Sequence, residues 1–330
     1  MTLTQLRYLI AIVDAGLNIS RAAERVHATQ PGISKQIRLL EDELGLQLFT
    51  RRGKNLEHLT DAGHEVVRRA RLMVLEEANI QALAANHRNQ DSGELRISSS
   101  HTQARFVLPS AVARLRRTYP SVAVHLLPAD EKNLLEWVGR GEVDLSIVSA
   151  VGTPQGCVAV PAFQWQRVLV VPRKHPLATL KRSPTIADLA ACPLVTYESA
   201  LRPESTLRQA FQLAGYTPML ACTALDADLI KTYVRAGLGV GILAEMAVLA
   251  DDARDLKVIS LGGLLPVCTT WIVLRRDQVL CNFAMDFIAG VAPRVDPLDV
   301  RRALAGEAVD WGAVPSWSEF TAVSRLASLG

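Results

Sequence analysis

Along the first sixty residues, apolar positions recur at helical spacing in three short runs. Leu3, Leu6, Ile10 and Val13 make the first stripe, Ile19, Ala22, Ala23 and Val26 the second, and Ile33, Ile37, Leu40 and Leu44 the third. Gly16 and the Asn18–Ser20 stretch part the first two, with Ser20 as the expected N-cap. Only Ala28 to Pro31 separates the second from the third. Two short helices joined by so tight a turn are the skeleton of a helix-turn-helix. Residues 60–89 then read as one long helix, capped by Thr60 with Asp61 in its first turn. Leu59, Val66, Ala70, Met73, Ile80 and Ala84 approximate a 3-4 repeat, interrupted by Gly63 and Glu77, and Arg68, Arg69, Arg71 and Glu76 take the opposite face. Such a helix alone would expose its stripe, so pairing with a second copy is expected. Asn86–Gly93 is polar and reads as a hinge.

From Glu94 to Pro293 the period alternates. Strands are expected to include Leu95–Ser99, Val122–Leu126, Asp144–Ser149, Arg167–Val171, Pro193–Tyr197 and Thr270–Leu274. Helices are expected over Phe106–Thr118, Leu134–Gly139, Leu207–Ala214, Leu229–Ala236 and Gln278–Ile288. This alternation predicts mostly parallel sheets covered by helices, arranged as two small α/β lobes with a cleft between them. After residue 295 a helical or loose tail carries Trp311 and Trp317 as docking anchors. The domain reading is 1–60 winged helix-turn-helix, 61–92 linker helix and hinge, 93–295 two-lobed domain and 296–330 tail.

Composition narrows the class. The chain of 330 residues is 49% hydrophobic and 21% charged, which suits a globular protein of about two domains. No run reaches the ~18 uncharged apolar residues of a membrane helix, and Met1–Ile10 lacks a secretory pattern. The expectation is a cytoplasmic protein with no membrane partner. Cys157, Cys192, Cys222, Cys268 and Cys281 are odd in number and never form CxxC, so reduced thiols and no metal site are expected. A net charge of +3 is too small to signal nucleic-acid binding, so any DNA contact must come from locally placed cations.

The third helix places such cations. With its apolar stripe turned inward, Gln30, Ser34, Lys35 and Arg38 project from the other side. Amide, hydroxyl and cation together are what reading base edges while gripping phosphate requires. Thr29 can cap this helix, and Pro31 fits its first turn. The basic turn Leu48–Asn55 reads as a β-wing whose Arg51, Arg52 or Lys54 touches the backbone or minor groove. A solvated polar face and a charged hairpin would leave the same local pattern.

A second set of polar residues sits where α/β sheets bind ligands, beyond the carboxyl ends of strands. Ser100, His101, Thr102 and Gln103 follow the first expected strand, Ser149 ends another, and Thr196 and Tyr197 end a third. Their hydroxyl and amide groups can hold an anion without a metal; capping helices and strand ends is the plainer role. Nothing points to catalysis: there is no GxSxG elbow, Walker loop or HExxH, and the seven histidines form no metal-ligand cluster. Gly237–Gly241 follows a helix, so it reads as a helix stop before a packed strand rather than a nucleotide loop. Asp226 and Asp228 read as helix caps rather than metal ligands. A solute-capture protein would suit the lobes but not the N-terminal module.

The stretch from Ser20 to Gly45, then Leu48–Arg51 and Leu59–Gly63, resembles the LysR-type transcriptional regulators over about residues 1–295. That resemblance implies a homodimer or homotetramer with paired linker helices, a double-stranded DNA operator, RNA polymerase as partner, and a two-lobed effector domain resembling a periplasmic binding protein. His101–Arg105, Asp226–Gly241, Pro193–Tyr197 and Trp165 are similar to the CysB branch of that family, which implies control of sulfur-assimilation genes by sulfate, thiosulfate or an acetylated serine. Carried over by position, Ser100, Thr102, Gln103 and Ser149 fall in the effector region and Trp165 near it. Regulation of another pathway, aromatic or organic acid metabolism, is the alternative. In the loop after Tyr197 the sequence departs from the branch: Arg202 adds a fixed positive charge. It implies a more strongly anionic or larger effector, unless Arg202 merely pairs with Glu198 or Glu204.

Overall fold

Helix α1 (Leu3–Asp14) opens with a capping box in which Thr2 and Gln5 satisfy each other's backbone amides. Helices α2 (Ile19–Arg25) and α3 (Gln30–Leu44) follow. Asn18 caps α2, accepting from the Arg21 amide at 3.0 Å, in place of the expected Ser20. The chain is still extended at Asn18, and Ser20 already lies inside the first turn. The tight turn is closed by His27, at a φ of 50°, and by the Ala28 amide bonding to Ala23 O at 2.9 Å. Thr29 caps α3 with Pro31 in its first turn, as the sequence reads. The buried face of α1 is Leu6, Leu9 and Ile12, while Leu3 is exposed. α1 is covered by α2 and α3 on one side and by the linker helix on another, which rotates the buried stripe away from the expected one.

Strands β1 (Phe49–Arg52) and β2 (Asn55–Leu59) pair antiparallel as the expected wing. The linker helix α4 (Asp61–His87) starts at a Thr60 cap. Gly63 is where α4 meets the wing: a Cβ there would stand 2.1 Å from Leu48 O. Val67 and Ala70 pack into the core of this unit, and Arg71–Asp14 and Arg7–Glu77 ion pairs tie α4 to α1. Only half of the expected stripe is used. Met73 and Ile80, with Leu72 and Leu83, stay exposed on α4. The structure, a computed structural model, describes residues 1–53, 55–149, 152–202 and 205–326. They form two units, Met1–Asn89 and Gln90 onward, so α4 belongs with the helix-turn-helix.

The second unit runs β3 (Ser92–Ser99), α5 (His101–Phe106), α6 (Leu108–Thr118), β4 (Ser121–Pro128), α7 (Glu131–Arg140), β5 (Leu145–Val148) and β6 (Cys157–Trp165). It crosses into β7 (Arg167–Pro172), α8 (Ile186–Ala190), β8 (Leu194–Tyr197), α9 (Thr206–Leu213), β9 (Leu220–Ala224), α10 (Ala227–Arg235), β10 (Val240–Ala244) and β11 (Leu256–Ser260). The chain then returns through β12 (Cys268–Arg275) and ends in α11 (Asn282–Val291), α12 (Pro297–Leu304) and α13 (Trp317–Leu326). Two five-stranded sheets result, ordered β4-β3-β5-β12-β6 and β11-β7-β10-β8-β9. Each is the core of one α/β lobe.

The sheets are mixed rather than mostly parallel. β3 pairs parallel with β4 and β5, and β8 with β9 and β10. The strands next to the crossings pair antiparallel: β12 with β5 and β6, and β7 with β10 and β11. A chain that passes to the second lobe and returns must thread its linking strands against the local direction. Gly239 follows α10 where a Cβ would meet Pro193 O at 2.1 Å, so the glycine run is the expected helix stop before a packed strand. The tail docks on the first lobe. The Gln164 amide bonds Pro315 O at 2.7 Å, and Phe163 lies 4.5 Å from Phe320 and 5.2 Å from Trp317 between ring centroids. Trp311 and Trp317 pack there as expected, but Phe320 is the deeper anchor.

Candidate functional site

The α3 surface is built from both ends of the helix. Ile33, Ile37 and Leu40 are buried, which turns Thr29, Gln30, Pro31, Lys35 and Arg38 outward and leaves Ser34 half-buried beside them. Among the described residues, Lys35, Arg38 and Arg52 form no ion pair. They are free cations on one small unit. Arg51 differs: its guanidinium turns back onto Glu41. Lys54 lies outside the described residues.

Glu41 was not read from the sequence as a functional residue, yet it organises the wing. It is 3% exposed, and one carboxylate oxygen accepts the amides of Leu48 (2.9 Å) and Phe49 (3.3 Å). The other oxygen holds Arg51. A carboxylate on α3 thus fixes where the wing begins. The available signal was its position, four residues after Ile37 on the apolar stripe.

The second site is the cleft between the lobes. Ser100 caps α5 by accepting the Gln103 amide at 3.3 Å. Gln103, 2% exposed, donates from Nε2 to Thr270 Oγ1 (2.9 Å) and Ser149 Oγ (3.2 Å). Both serine oxygens therefore already accept a bond, which leaves their O–H groups to donate. Thr102 Oγ1 donates to Tyr197 Oη across the lobes at 3.3 Å, and the Ala244 amide donates to the same oxygen. Burial pushes the Tyr197 phenol up, against the pull of those two bonds, so it stays protonated near neutrality. Ser100, Thr102, Gln103, Ser149 and Tyr197 line a cavity of about 150 Å³ with His101 and Trp165, while Thr270 lies behind Gln103.

Not every expected residue is presented in the same way. Thr196 donates its hydroxyl to Ile242 O at 3.0 Å and is 1% exposed, so its oxygen serves the second sheet. Arg202 pairs with Glu131 of the first lobe at 3.0 Å, rather than with Glu198; Glu204 lies outside the described residues. Arg202 therefore spans the cleft. Asp226 caps α10 as expected, accepting the Leu229 amide at 2.8 Å. Tyr197 was read as a strand-end candidate, whereas Thr270 and Glu131 were not singled out as site residues. Thr270 carried a signal, as a polar position in the apolar run of β12, whereas Glu131 becomes visible only when the lobes are placed. Among the described residues, no cluster of three metal-ligating side chains occurs, and no helix is long and apolar enough to cross a membrane. All five cysteines are free thiols.

The comparisons with known proteins agree with this two-part construction. The family description "Bacterial regulatory helix-turn-helix protein, lysR family" matches residues 3–64, and "LysR substrate binding domain" matches residues 88–293. The chain is 40% identical over 304 residues to the HTH-type transcriptional regulator CysB of Haemophilus influenzae, covering 92% of this chain and 94% of that one. It is 32% identical to the HTH-type transcriptional regulator cbl of Escherichia coli K12, covering 92% and 96%. Among solved structures, the cofactor-binding domain of the Cbl transcriptional regulator superposes with a TM-score of 0.62 at 30% identity, covering 66% of this chain and 96% of that one. These observations establish that the chain belongs to the LysR family of DNA-binding transcriptional regulators and is not an enzyme.

Proposed function

We propose that this regulator controls sulfur-assimilation genes by binding a small oxyanion between its lobes. The observation that carries the reading is the neutral donor set on the cavity wall. Ser100 and Ser149 have O–H groups to give, and the protonated Tyr197 stands beside them. Sulfate, thiosulfate or an acetylated serine matches such donors. The likeness to the regulators named CysB and cbl supports the same branch. On the DNA side, Gln30, Ser34, Lys35 and Arg38 enter the major groove from α3, with Thr29 and Pro31 setting its start. Arg52 grips phosphate, with Lys54 assigned the same role from the sequence, while Arg51 acts through Glu41 to seat the wing. The exposed Leu72, Met73, Ile80 and Leu83 face of α4 pairs two copies, and two such pairs make the homotetramer. Anion binding selects one lobe arrangement and so shifts how the reading heads sit on an operator, where RNA polymerase follows.

Genome-wide mapping of bound sites under sulfate and under cysteine starvation tests the pathway. Sites beside sulfur genes are expected; sites confined to aromatic-acid catabolism contradict it. Arg202 tests the cleft. Arg202→Ala removes a cation that spans the lobes and is expected to weaken thiosulfate binding about tenfold by calorimetry. Unchanged affinity for sulfate and for thiosulfate would remove Arg202 from the site and reduce it to a Glu131 partner.

A further inference from the structure

Helix α5 touches both lobes, and its residues divide by face. Ser100 at its cap and Gln103, bonded to Ser149 and Thr270, hold it to the first lobe. Thr102, Arg105 and Phe106 are spaced i, i+3 and i+4, so they share another side of the helix. All three meet the second lobe. Thr102 donates to Tyr197 Oη at 3.3 Å. The Arg105 guanidinium pairs with Asp228 on α10 at 2.5 Å. Phe106 packs against the apolar cluster of the second lobe that includes Ala227, Ile230 and Ala247, and its ring lies 5.7 Å from Lys231 Nζ. Arg105 lies 5.4 Å from the same ring, so one aromatic face serves two cations. Asp226 caps α10, whereas Asp228, one turn short of Lys231, joins Arg105 to the Lys231 ammonium at 3.2 Å. That ammonium is fixed in turn by Asp252 and Ala247 O. None of Arg105, Phe106, Asp228 and Lys231 lines the cavity between Ser100 and Tyr197.

We propose that this face of α5 is a clamp that holds the two lobes in the arrangement in which Thr102 meets Tyr197, with Arg105, Phe106 and Asp228 as positioning residues. Its effect on the anion rests on the cleft reading above. Donors from the two lobes adjoin only in that arrangement, so apparent affinity scales with the fraction of molecules clamped. The shares are unequal. The Arg105 side chain is 60% exposed, so its ion pair alone contributes little. Lys231 is 2% exposed, so the Phe106 ring faces a cation already taken out of water and carries the larger share.

Two measurements on the full chain test it. Hydrogen exchange of the anion-free protein, followed in peptides covering α5, reads the clamp by itself. Phe106→Leu keeps an apolar side chain but removes the ring, and is expected to speed exchange there about fivefold. Arg105→Met is expected to speed it about twofold, and as a surface variant it keeps the test valid should Phe106→Leu fail to fold. Phe106→Tyr and Arg105→Lys keep the ring and the charge and are expected to restore wild-type exchange. In the Arg105→Met background, Asp228→Asn is expected to change exchange less than it does alone, because the pair is already broken. Calorimetric titration with inorganic sulfate then reads the consequence: affinity is expected to fall about fivefold in Phe106→Leu and about twofold in Arg105→Met, although neither side chain lines the cavity. Wild-type exchange in both variants overturns the clamp. Faster exchange with unchanged or tighter sulfate binding overturns its link to the anion. Faster exchange in the variants with no sulfate binding in wild type counts against the cleft reading and upholds the clamp.

Discussion

Glu41→Ala is expected to destabilise the N-terminal unit by about 3–5 kcal/mol, the cost of breaking a buried hydrogen-bonded ion pair. Three groups lose their acceptor at once: the Leu48 amide, the Phe49 amide and the Arg51 guanidinium. Leu48 and Phe49 are both fully buried, so water does not replace the lost oxygen. The wing then loses its fixed start relative to α3, and operator affinity should fall with it. Glu41→Gln keeps one carbonyl oxygen for the amides and should lose less. Thermal unfolding, read with fluorescence anisotropy on an operator duplex, checks this. Because the cleft residues lie in the other unit, sulfate affinity should stay at the wild-type value. Wild-type stability in Glu41→Ala would mean that the wing is seated by its apolar contacts alone.

Lys231→Met is expected to remove about 3 kcal/mol from the two-lobed unit. Lys231 is 2% exposed, and its ammonium donates to Asp252 Oδ2 and Ala247 O, both at 2.9 Å, with Asp228 at 3.2 Å. It also lies 5.7 Å from the ring of Phe106, which belongs to the first lobe, so the cation sits against both lobes. The loss stays near the lower end of the range because Arg235 still holds Asp252 at 2.8 Å. Burial opposes the charge on Asp252, but the Leu249 amide, Arg235 and Lys231 outweigh it and hold its carboxyl below the usual carboxylate range. A carboxyl lowered by folding stabilises the native state at pH values above its unfolded pKa, about 3.9, and loses that contribution as pH falls through its folded value. Removing Lys231 raises the folded value. Acid unfolding of Lys231→Met should therefore begin at higher pH than in wild type, besides the loss at neutrality. Denaturant titrations at pH 7 and pH 4 separate the two effects. A wild-type acid midpoint in the variant would contradict this role for the pair.

Local rules made much of this molecule readable. The α3 stripe, the Thr29 cap, Pro31 in the first turn, the Thr60 cap and the wing all follow from short-range chemistry, and all stand where the sequence puts them. Apart from the cap of α2, which is Asn18 instead of Ser20, what failed was long-range. The mixed sheets arise because the chain crosses between lobes twice, and no periodicity within a strand records that. The α1 stripe was misjudged because α2, α3 and α4 cover it from more than one side. In the cleft, Ser100 through Gln103 were visible as a polar run after a strand. Their partners Thr270 and Tyr197 come from 167 and 95 residues further along the chain. Arg202 was visible as a charge, but its partner Glu131 is 71 residues earlier, on the other lobe.

The central claim is that an oxyanion in the cleft changes how α3 and its paired copy sit on DNA. Footprinting of an operator fragment recovered from the genome-wide map, with and without sulfate, thiosulfate and an acetylated serine, tests it most directly. At least one of these anions should alter the footprint or the affinity of wild type, and Ser100→Ala should bind the same fragment while needing a higher concentration of that anion. An identical footprint and affinity in wild type across all three anions would contradict it.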